Sequence, residues 1–331
     1  MANLLETTLH PAWYHGHRTK PPYFEGWYFR LISAGQEHRY AVIPGIFKGA
    51  GSEASHAFVQ VLDGVAGQAT YHRYPVEDFW AAKRDFDVRV GPNHFTLERI
   101  HLQIGAPEQA VSGEVAFSGL TPWPVTLASP GIMGWYAWVP LMECYHGVLS
   151  LDHALDGALT VDGKRIDFAG GRGYVEKDWG RSFPAAWVWL QTNHFEQPRV
   201  SITGSVALIP WIGQTFRGFI VGVWHERVLY RFATYTGARI EKLAIGEHDL
   251  EWTMRDRHHR LEIRARRTQA GLLRGPGVAD MGVRVPETLQ ATVQVHLSAL
   301  AGGQERPIFE GTGHSAGLEV AGNIPRLLRA K

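Results

Sequence analysis

The sequence has little of what would specify a cross-linked, nucleic-acid-binding or secreted protein. A single cysteine, Cys144, among 331 residues excludes an intramolecular disulfide framework and is typical of a reducing compartment. Lys and Arg total 33 and Asp and Glu total 32, so the formal net charge of +1 provides no overall field for nucleic acid. The N-terminal residues lack the basic start and apolar run of a secretory signal. We therefore expect a cytoplasmic protein.

Long amphipathic helical patterns and nucleotide-binding motifs are also missing. The best short helical candidate covers residues 76–84, and no glycine-rich loop leads from a strand into a helix. The basic cluster at residues 255–260 is predicted to guard an exposed strand edge. We therefore expect little helix, no cofactor and no nucleic-acid partner.

Alternation of apolar and polar residues dominates the chain. It is most regular at residues 259–266 and 288–297, and a period of two predicts β-strands. Asp162-Gly163, between two short apolar runs, is typical of a two-residue hairpin turn. The 37 glycines and 18 prolines suit many short strands and turns. The predicted fold class is all-β.

Two similar motifs suggest an internal division. A glutamate precedes a tryptophan at residues 25–27 and again at 176–179, each time at the start of a run of predicted strands. The second motif follows Gly170-Gly171, which indicates a boundary at that point. The predicted domains are residues 1–171 and 172–331.

Residues 115–142 contain no charged residue but several prolines and aromatic residues. The prolines argue against a membrane-spanning helix. A neutral, proline-stiffened loop of this kind predicts a lid over a pocket or a cover between domains. Packing into a core, and peripheral contact of residues 120–142 with a membrane surface, are the alternatives.

The most informative charged residues are three neighbours amid aromatic residues. On a strand, Glu176 and Asp178 face one side and Lys177 the other. The following segment places two indoles and two amides on one face, which is typical of a ligand-binding wall. An alternative is that these charges only stabilise a domain junction. The residues of the predicted wall are Trp187, Trp189, Gln191 and Asn193.

Four motifs in this order resemble the tocopherol cyclase family. They are PYFEGWYF (22–29), YVEKDWGRSFP (174–184), WVWLQTNHF (187–195) and GLEVAG (317–322). The resemblance covers nearly the whole chain. It implies two consecutive lipocalin-like β-barrel domains, as in the related carotenoid 1,2-hydratases and the fungal decalin-forming cyclases. Asp178 stands where plant members are expected to have Asn, so the native substrate need not be a tocopherol precursor.

The resemblance implies acid-catalysed cyclisation or hydration of a prenylated apolar substrate such as a quinol, terpenoid or polyene. An alkene is protonated, and the tertiary carbocation is captured by a phenol oxygen or by water. This chemistry needs a carboxylic acid kept protonated by burial, and aromatic faces beside the cation. The candidate acids are Asp178, Glu25 and Glu176; we expect Lys177 to hold Glu176 ionised, which favours Asp178. The candidate substrate-binding residues are Trp27, Tyr28, Trp135, Trp138, Tyr145, His146, Lys177, Trp179, Trp187, Trp189, Gln191 and Asn193.

Other interpretations remain open at this point. The same pocket would serve a non-catalytic carrier of a hydrophobic metabolite, or a pericyclase that needs shape and hydrogen bonds but no strong acid. Cys144 and His146 would share a strand face, as a nucleophilic pair would require. A zinc site would draw on His15, His17, Glu143 or His146, but no full ligand set is visible, so no metal is predicted.

Overall fold

The computed structural model describes residues 4–50, 54–140, 142–211 and 213–330, which form two compact units. The first unit comprises the chain up to Phe183 together with Gly271–Arg284. The second comprises Pro184–Ala270 and the chain from Val285 onward. These ranges differ from the predicted division into residues 1–171 and 172–331.

The first unit contains a sheet of antiparallel strands. The strands pair in the spatial order 4-3-2-1-12-10-9-8-7-6-5, with strand 11 beside strand 10. No pairing joins strand 4 to strand 5 among the described residues, so hydrogen bonding leaves the sheet open rather than closing it into a barrel. The strands are β1 (Tyr23–Ile32), β2 (Arg39–Lys48), β3 (His56–Asp63), β4 (Gln68–Tyr74), β5 (Phe79–Ala81), β6 (Asp87–Val90), β7 (Asn93–Thr96), β8 (Arg99–Ala106), β9 (Gln109–Ser118), β10 (Cys144–Val161), β11 (Lys164–Asp167) and β12 (Arg172–Gly180).

The second unit contains a second antiparallel sheet, in the spatial order 16-15-14-13-22-21-19-18-17. Strand 20 lies in the segment that belongs to the first unit, where the Gln60 side chain accepts from the Arg274 N–H at 2.8 Å and donates to its carbonyl at 2.9 Å. The strands are β13 (Ala186–Thr192), β14 (Ser201–Trp211), β15 (Gln214–His225), β16 (Val228–Ala233), β17 (Arg239–Ile245), β18 (Asp249–Arg255), β19 (His259–Arg266), β20 (Gly271–Gly275), β21 (Val283–Ala301) and β22 (Gln304–Gly322).

Helices are few and short, as expected. The α-helices are α1 (Leu4–Thr8) and α2 (Ile324–Arg329), and single 3₁₀ segments cover Gly16–Arg18, Val76–Asp78, Gly131–Trp138 and Thr234–Thr236. The helix predicted over residues 76–84 is wrong, because one 3₁₀ turn there leads directly into β5. None of the helices in the described part of the chain is long and apolar enough to cross a bilayer. The all-β prediction is confirmed.

Alternation places an apolar core inside each unit. Trp27, Phe29 and Leu31 of β1 are fully buried in the first core, and Val188 and Leu190 of β13 are fully buried in the second. Burying a side chain of this size stabilises the fold by about 1.5–3 kcal/mol. These cores fix which strand faces remain for other functions.

The predicted hairpin turn is present between β10 and β11. Asp162 and Gly163 have φ values of 48° and 80°, both in the left-handed region that a tight two-residue turn of this type requires. Val161 pairs directly with Lys164 across the turn. The prediction of this hairpin is confirmed.

The two glutamate–tryptophan motifs lie side by side in one sheet. β1 carries the first motif and β12 the second, and the two strands pair antiparallel with Trp27 opposite Lys177. The motifs therefore do not open separate domains. They are neighbouring strands that meet across about 150 residues of chain.

Candidate functional site

β12 lies between β1 and β10, and its two faces carry different charged residues. Lys177 is opposite Trp27 on β1, and Asp178 is opposite His146 on β10. Because neighbouring side chains on a strand alternate, Lys177 and Asp178 lie on opposite faces. The site therefore consists of two clusters separated by one strand.

A buried ion pair occupies the first face. Lys177 Nζ lies 2.7 Å from Glu25 Oε1, and both side chains are fully buried. The Glu25 carboxylate also accepts hydrogen bonds from the His15 backbone N–H, at 3.0 and 3.1 Å, and from the Tyr23 hydroxyl. Lys177 donates to the Trp13 carbonyl and, at 2.8 Å, to His15 Nδ1. The charges of this pair are thus enclosed by hydrogen bonds.

The pairing fixes the ionisation of both groups. Burial opposes ionisation of Glu25, but the Lys177 charge and the hydrogen bonds lower the Glu25 pKa to about 2. Burial lowers the pKa of Lys177 to about 8, against the attraction of Glu25. Glu25 is therefore ionised at neutral pH, which does not fit its predicted role as proton donor. The expected pairing of Lys177 with Glu176 is wrong, because adjacent strand residues point to opposite faces.

Two tryptophan rings surround the Lys177 ammonium. Its Nζ lies 4.5 Å from the Trp179 ring centroid and 5.3 Å from that of Trp27. The His15 ring stacks on Trp179 at 4.4 Å, and Trp27 is fully buried in the core. The cation that meets these indoles is therefore the chain's own lysine, held in place by cation–π attraction.

The second face carries an imidazole between two carboxylates. His146 Nδ1 lies 2.8 Å from Asp178 Oδ1, and His146 Nε2 lies 3.6 Å from Glu176 Oε2. The Tyr174 hydroxyl donates to Glu176. Burial lowers the pKa of His146, but Glu176 and Asp178 outweigh this and raise it to about 9. His146 is therefore an imidazolium at neutral pH, with each ring nitrogen directed at a different acid.

The same three side chains offer donor atoms to a metal. One ligand atom from each of His146, Glu176 and Asp178 lies within 4.8 Å of the others. A metal ion would use one imidazole nitrogen, whereas here the two nitrogens face separate carboxylates. This arrangement fits a protonated ring better than a metal ligand.

The residues considered for a zinc site and for a nucleophilic Cys–His pair do not form either site. His15 Nε2 bonds to the Thr7 carbonyl, His17 Nε2 bonds to the Ala82 carbonyl, and Glu143 accepts from Ser182, so these groups are engaged separately. Burial raises the pKa of the Cys144 thiol well above its usual range, and Asp178 adds to the effect. A thiol held protonated in this way is a poor nucleophile.

A cleft of about 470 Å³ reaches both clusters of the first unit. Strand ends form its base, and the N-terminal segment and the loop before β10 form its walls. The base and walls bring together Tyr145, His146 and Trp179. The lining comprises Thr7, Thr8, Pro11, His15, Thr19, Lys20, Pro21, Pro22, Tyr23, Pro130, Met133, Ala137, Trp138, Val139, Pro140, Met142, Tyr145, His146, Trp179, Gly180 and Arg181.

The loop of residues 120–140 is held over this cleft by hydrogen bonds. The Tyr145 hydroxyl donates to the Val139 carbonyl at 2.7 Å and accepts from the Met142 N–H at 3.3 Å. Trp138 Nε1 donates to the Leu127 carbonyl at 2.9 Å, which fixes the indole that lines the cleft. This is the geometry expected of a pocket cover, although Leu141 lies outside the described residues.

Three other predicted ligand-binding residues lie elsewhere in the first unit. Trp135 is 45% exposed and stacks on Tyr136 at 4.1 Å rather than lining the cleft. Tyr28 is buried opposite Glu176 in the strand register, away from the lining, and Trp27 belongs to the core.

The predicted wall of residues 187–193 belongs to the second unit. Trp187, Trp189 and Gln191 are buried on the face of β13 opposite the core, as the alternation predicts, and Asn193 follows the end of the strand. Trp187 Nε1 donates to Glu319 Oε2 at 2.6 Å.

No sequence pattern predicts the N-terminal wall of the cleft. His15 meets Lys177 across 162 residues of chain, so no local spacing links them. Pro11, Thr19 and Lys20 line the cleft from a segment without strand or helix periodicity. The only feature of the sequence that points to this wall is the cluster of His and Pro residues near the N-terminus.

The chain is similar to known proteins over a region that contains most of these motifs. A family model described as tocopherol cyclase-like matches residues 106–322. A probable chloroplastic tocopherol cyclase of Oryza sativa subsp. japonica is 27% identical over 208 residues, which is 60% of this chain and 44% of that protein. The chloroplastic tocopherol cyclase of Zea mays is 29% identical over 199 residues, 57% of this chain and 41% of that one. The chain thus spans less than half the length of these relatives.

Solved structures share the fold at low identity. The crystal structure of CghA with Sch210972 aligns with a TM-score of 0.56 and 13% identity, over 92% of this chain and 89% of that chain. A putative AttH from Nitrosomonas europaea aligns with a TM-score of 0.50 and 13% identity, over 89% of this chain and 92% of that one. These likenesses confirm the predicted lipocalin-like fold. With two thirds of its length matched by the family model, the chain belongs to the tocopherol cyclase-like family.

Proposed function

We propose that the protein is a cofactor-independent enzyme that cyclises or hydrates a prenylated apolar substrate in the cleft of its first unit. The observation that carries the proposal is the position of His146. It lines a largely apolar cleft and lies between Asp178 and Glu176, whose charges raise its pKa to about 9. Protonation of an alkene requires a cluster that can donate a proton at the base of an apolar cleft.

The proposed acid is the Asp178 carboxyl, in a cluster that takes up a second proton. With one proton, the cluster holds it on His146, whose pKa of about 9 makes the imidazolium a weak donor. A second proton must reside on a carboxylate, because both ring nitrogens of the imidazolium already carry one. Neither acid is among the lining residues. Asp178, 2.8 Å from the lining residue His146, is the more accessible of the two, with a side chain 29% exposed against 6% for Glu176.

The proposed reaction is an isomerisation when a phenol captures the cation and a hydration when water captures it. The proton of Asp178 adds to one alkene carbon, and the other carbon becomes a tertiary cation. A substrate phenol oxygen captures this cation, and the proton that the phenol loses returns to the cluster. In hydration, water captures the cation and loses the proton. The faces of Trp138 and Tyr145 in the lining would stabilise the cation, by roughly 2 kcal/mol when water is excluded.

The proposal is tested with a dimethyl-phytylquinol-type substrate and shorter prenylquinols in deuterated water. Carbocation chemistry places one non-exchangeable deuterium in each chromanol, which mass spectrometry detects. A polyene is assayed beside the quinols, because its pericyclic cycloaddition moves no exchangeable hydrogen to carbon. Asp178→Asn should reduce turnover by about a hundredfold or more, the usual range for a general acid. Asp156→Asn, which changes an exposed aspartate on β10, is the matched control.

The outcomes separate the rival functions. Tight binding without turnover across the panel would indicate a carrier of a hydrophobic metabolite. Cyclisation of the polyene without deuterium uptake would indicate a pericyclase. Undiminished turnover in Asp178→Asn would eliminate the proposed acid.

We also propose that the loop over the cleft contacts a lipid surface. Leu127 is 66% exposed, Trp135 45% and Val125 38%, in a stretch without charged residues. Aromatic and aliphatic side chains presented together favour insertion at a membrane interface. The unmodified protein should float with vesicles of phosphatidylcholine and phosphatidylglycerol. The double variant Leu127→Asp/Trp135→Asp should not. The control is Trp80→Asp, which alters another exposed tryptophan of the same unit; equal loss in that variant would refute the proposal.

A further inference from the structure

The walls of the cleft differ in polarity. The loop contributes only apolar or uncharged side chains, from Pro130, Met133, Ala137, Trp138, Val139 and Pro140. The N-terminal wall contributes the hydroxyl groups of three threonines and the ammonium of Lys20. The cleft is therefore built for a ligand that is apolar on one side and polar on the other.

The charged residues at the cleft are all basic. Lys20 and Arg181 are exposed residues of the lining, and His146 at the base is an imidazolium. Among the described residues, the lining includes no aspartate or glutamate. The nearby acids are engaged, since Asp178 and Glu176 face His146.

Glu143, an acid whose charge interacts with Arg181, has a second partner. Glu143 attracts Arg181, but burial raises the pKa of Glu143 and its carboxylate accepts a hydrogen bond from Ser182 at 3.1 Å. Arg181 itself is exposed at the cleft. An arginine in this position can offer two parallel N–H donors to a carboxylate.

We infer that the cleft binds an amphiphilic acid, with its carboxylate at Lys20 and Arg181 and its isoprenoid chain against the loop of residues 130–140. This inference rests on the proposed function, because it names the substrate class of the same cleft. It adds an anionic head group to the prenyl chain. Its basis is charge complementarity with a cleft whose charged lining residues are all basic.

The test compares farnesoate with farnesol, which share a chain and differ in charge, by isothermal titration calorimetry. The unmodified protein should bind farnesoate about tenfold more tightly than farnesol, as charge-assisted hydrogen bonds at a partly exposed site allow. Lys20→Gln/Arg181→Gln should lose about that tenfold preference while binding farnesol within about twofold of the unmodified protein. Retained farnesol binding also shows that the variant is folded.

The control is Lys164→Gln/Arg165→Gln, which removes the same charge from exposed positions on β11 outside the lining. Equal affinities of farnesoate and farnesol for the unmodified protein, or an equal loss in the control, would overturn the inference. Normal chromanol formation from a neutral prenylquinol, with no preference for farnesoate, would refute this inference alone. Absence of both binding and turnover would refute the proposed function with it.

Discussion

Replacing Lys177 by methionine tests the buried ion pair on the first face of β12. Methionine has similar length and packs well between the rings of Trp27 and Trp179, so the change removes charge with little loss of volume. Breaking one half of a buried pair typically costs 3–5 kcal/mol, because the remaining charge is left uncompensated. Glu25 keeps hydrogen bonds from Tyr23 and from the His15 backbone, so we expect the lower value, about 3 kcal/mol.

The pH dependence of that loss distinguishes charge from packing. In the unmodified protein the folded pKa of Glu25, about 2, lies below its ordinary value of 4.5, so the stability that it contributes is lost as the pH falls from 4.5 toward 2. Without Lys177, burial raises the folded pKa of Glu25 above 4.5. Stability of Lys177→Met should therefore increase as the pH is lowered from neutrality toward 4.5, and the deficit should shrink.

Urea unfolding at pH 5 and pH 7.5 measures both effects. Lys164→Met, at an exposed lysine of β11, should change the free energy of unfolding by less than about 0.5 kcal/mol. Glu25→Gln/Lys177→Met should recover much of the stability lost in Lys177→Met, since no buried charge is then unpaired. A deficit below about 1 kcal/mol that does not depend on pH would refute the assignment of the ion pair.

Three further predictions concern single contacts. Tyr145→Phe removes the hydrogen bonds of the Tyr145 hydroxyl with Val139 and Met142 at a cost of about 1–2 kcal/mol. Amide hydrogen exchange at the end of the loop near Val139 should therefore accelerate, and unchanged exchange there would contradict the fastening role. Asp178→Asn should lower the pKa of His146 from about 9, as followed by NMR titration, because one of the two carboxylates that raise it is gone. Gly317→Ala should destabilise the second unit by about 1–3 kcal/mol in urea unfolding, because a Cβ there would lie 2.7 Å from the Trp189 ring, and a neutral effect would show that the ring can move.

Local patterns predicted the elements well and their partners poorly. The strand expected at residues 259–266 is β19, and the turn at Asp162-Gly163 is present as expected. Alternation also placed Lys177 and Asp178 on opposite faces. Alternation in the sequence therefore predicts which face of a strand each side chain takes, because successive side chains of a strand point to opposite faces.

The partners of the charged residues depend on which distant strands become neighbours. Lys177 pairs with Glu25 because β1 lies beside β12, and no spacing within residues 174–184 encodes that choice. The same pairing accounts for the tryptophans of the repeated glutamate–tryptophan motif, since Trp27 and Trp179 lie beside one ion pair. The two glutamates have different places: Glu25 belongs to that pair, and Glu176 faces His146 on the other side of β12.

The different clusters on the two faces of β12 determine which substitutions in this strand the protein can accept. The residues of one face hold the buried ion pair, and those of the other hold the proton of His146, so substitutions at Tyr174, Glu176 and Asp178 can alter reactivity while leaving the supporting face intact. Insertion or deletion of a single residue would exchange the two sets and lose both. A directed-evolution library should therefore vary alternate positions of this strand at constant length.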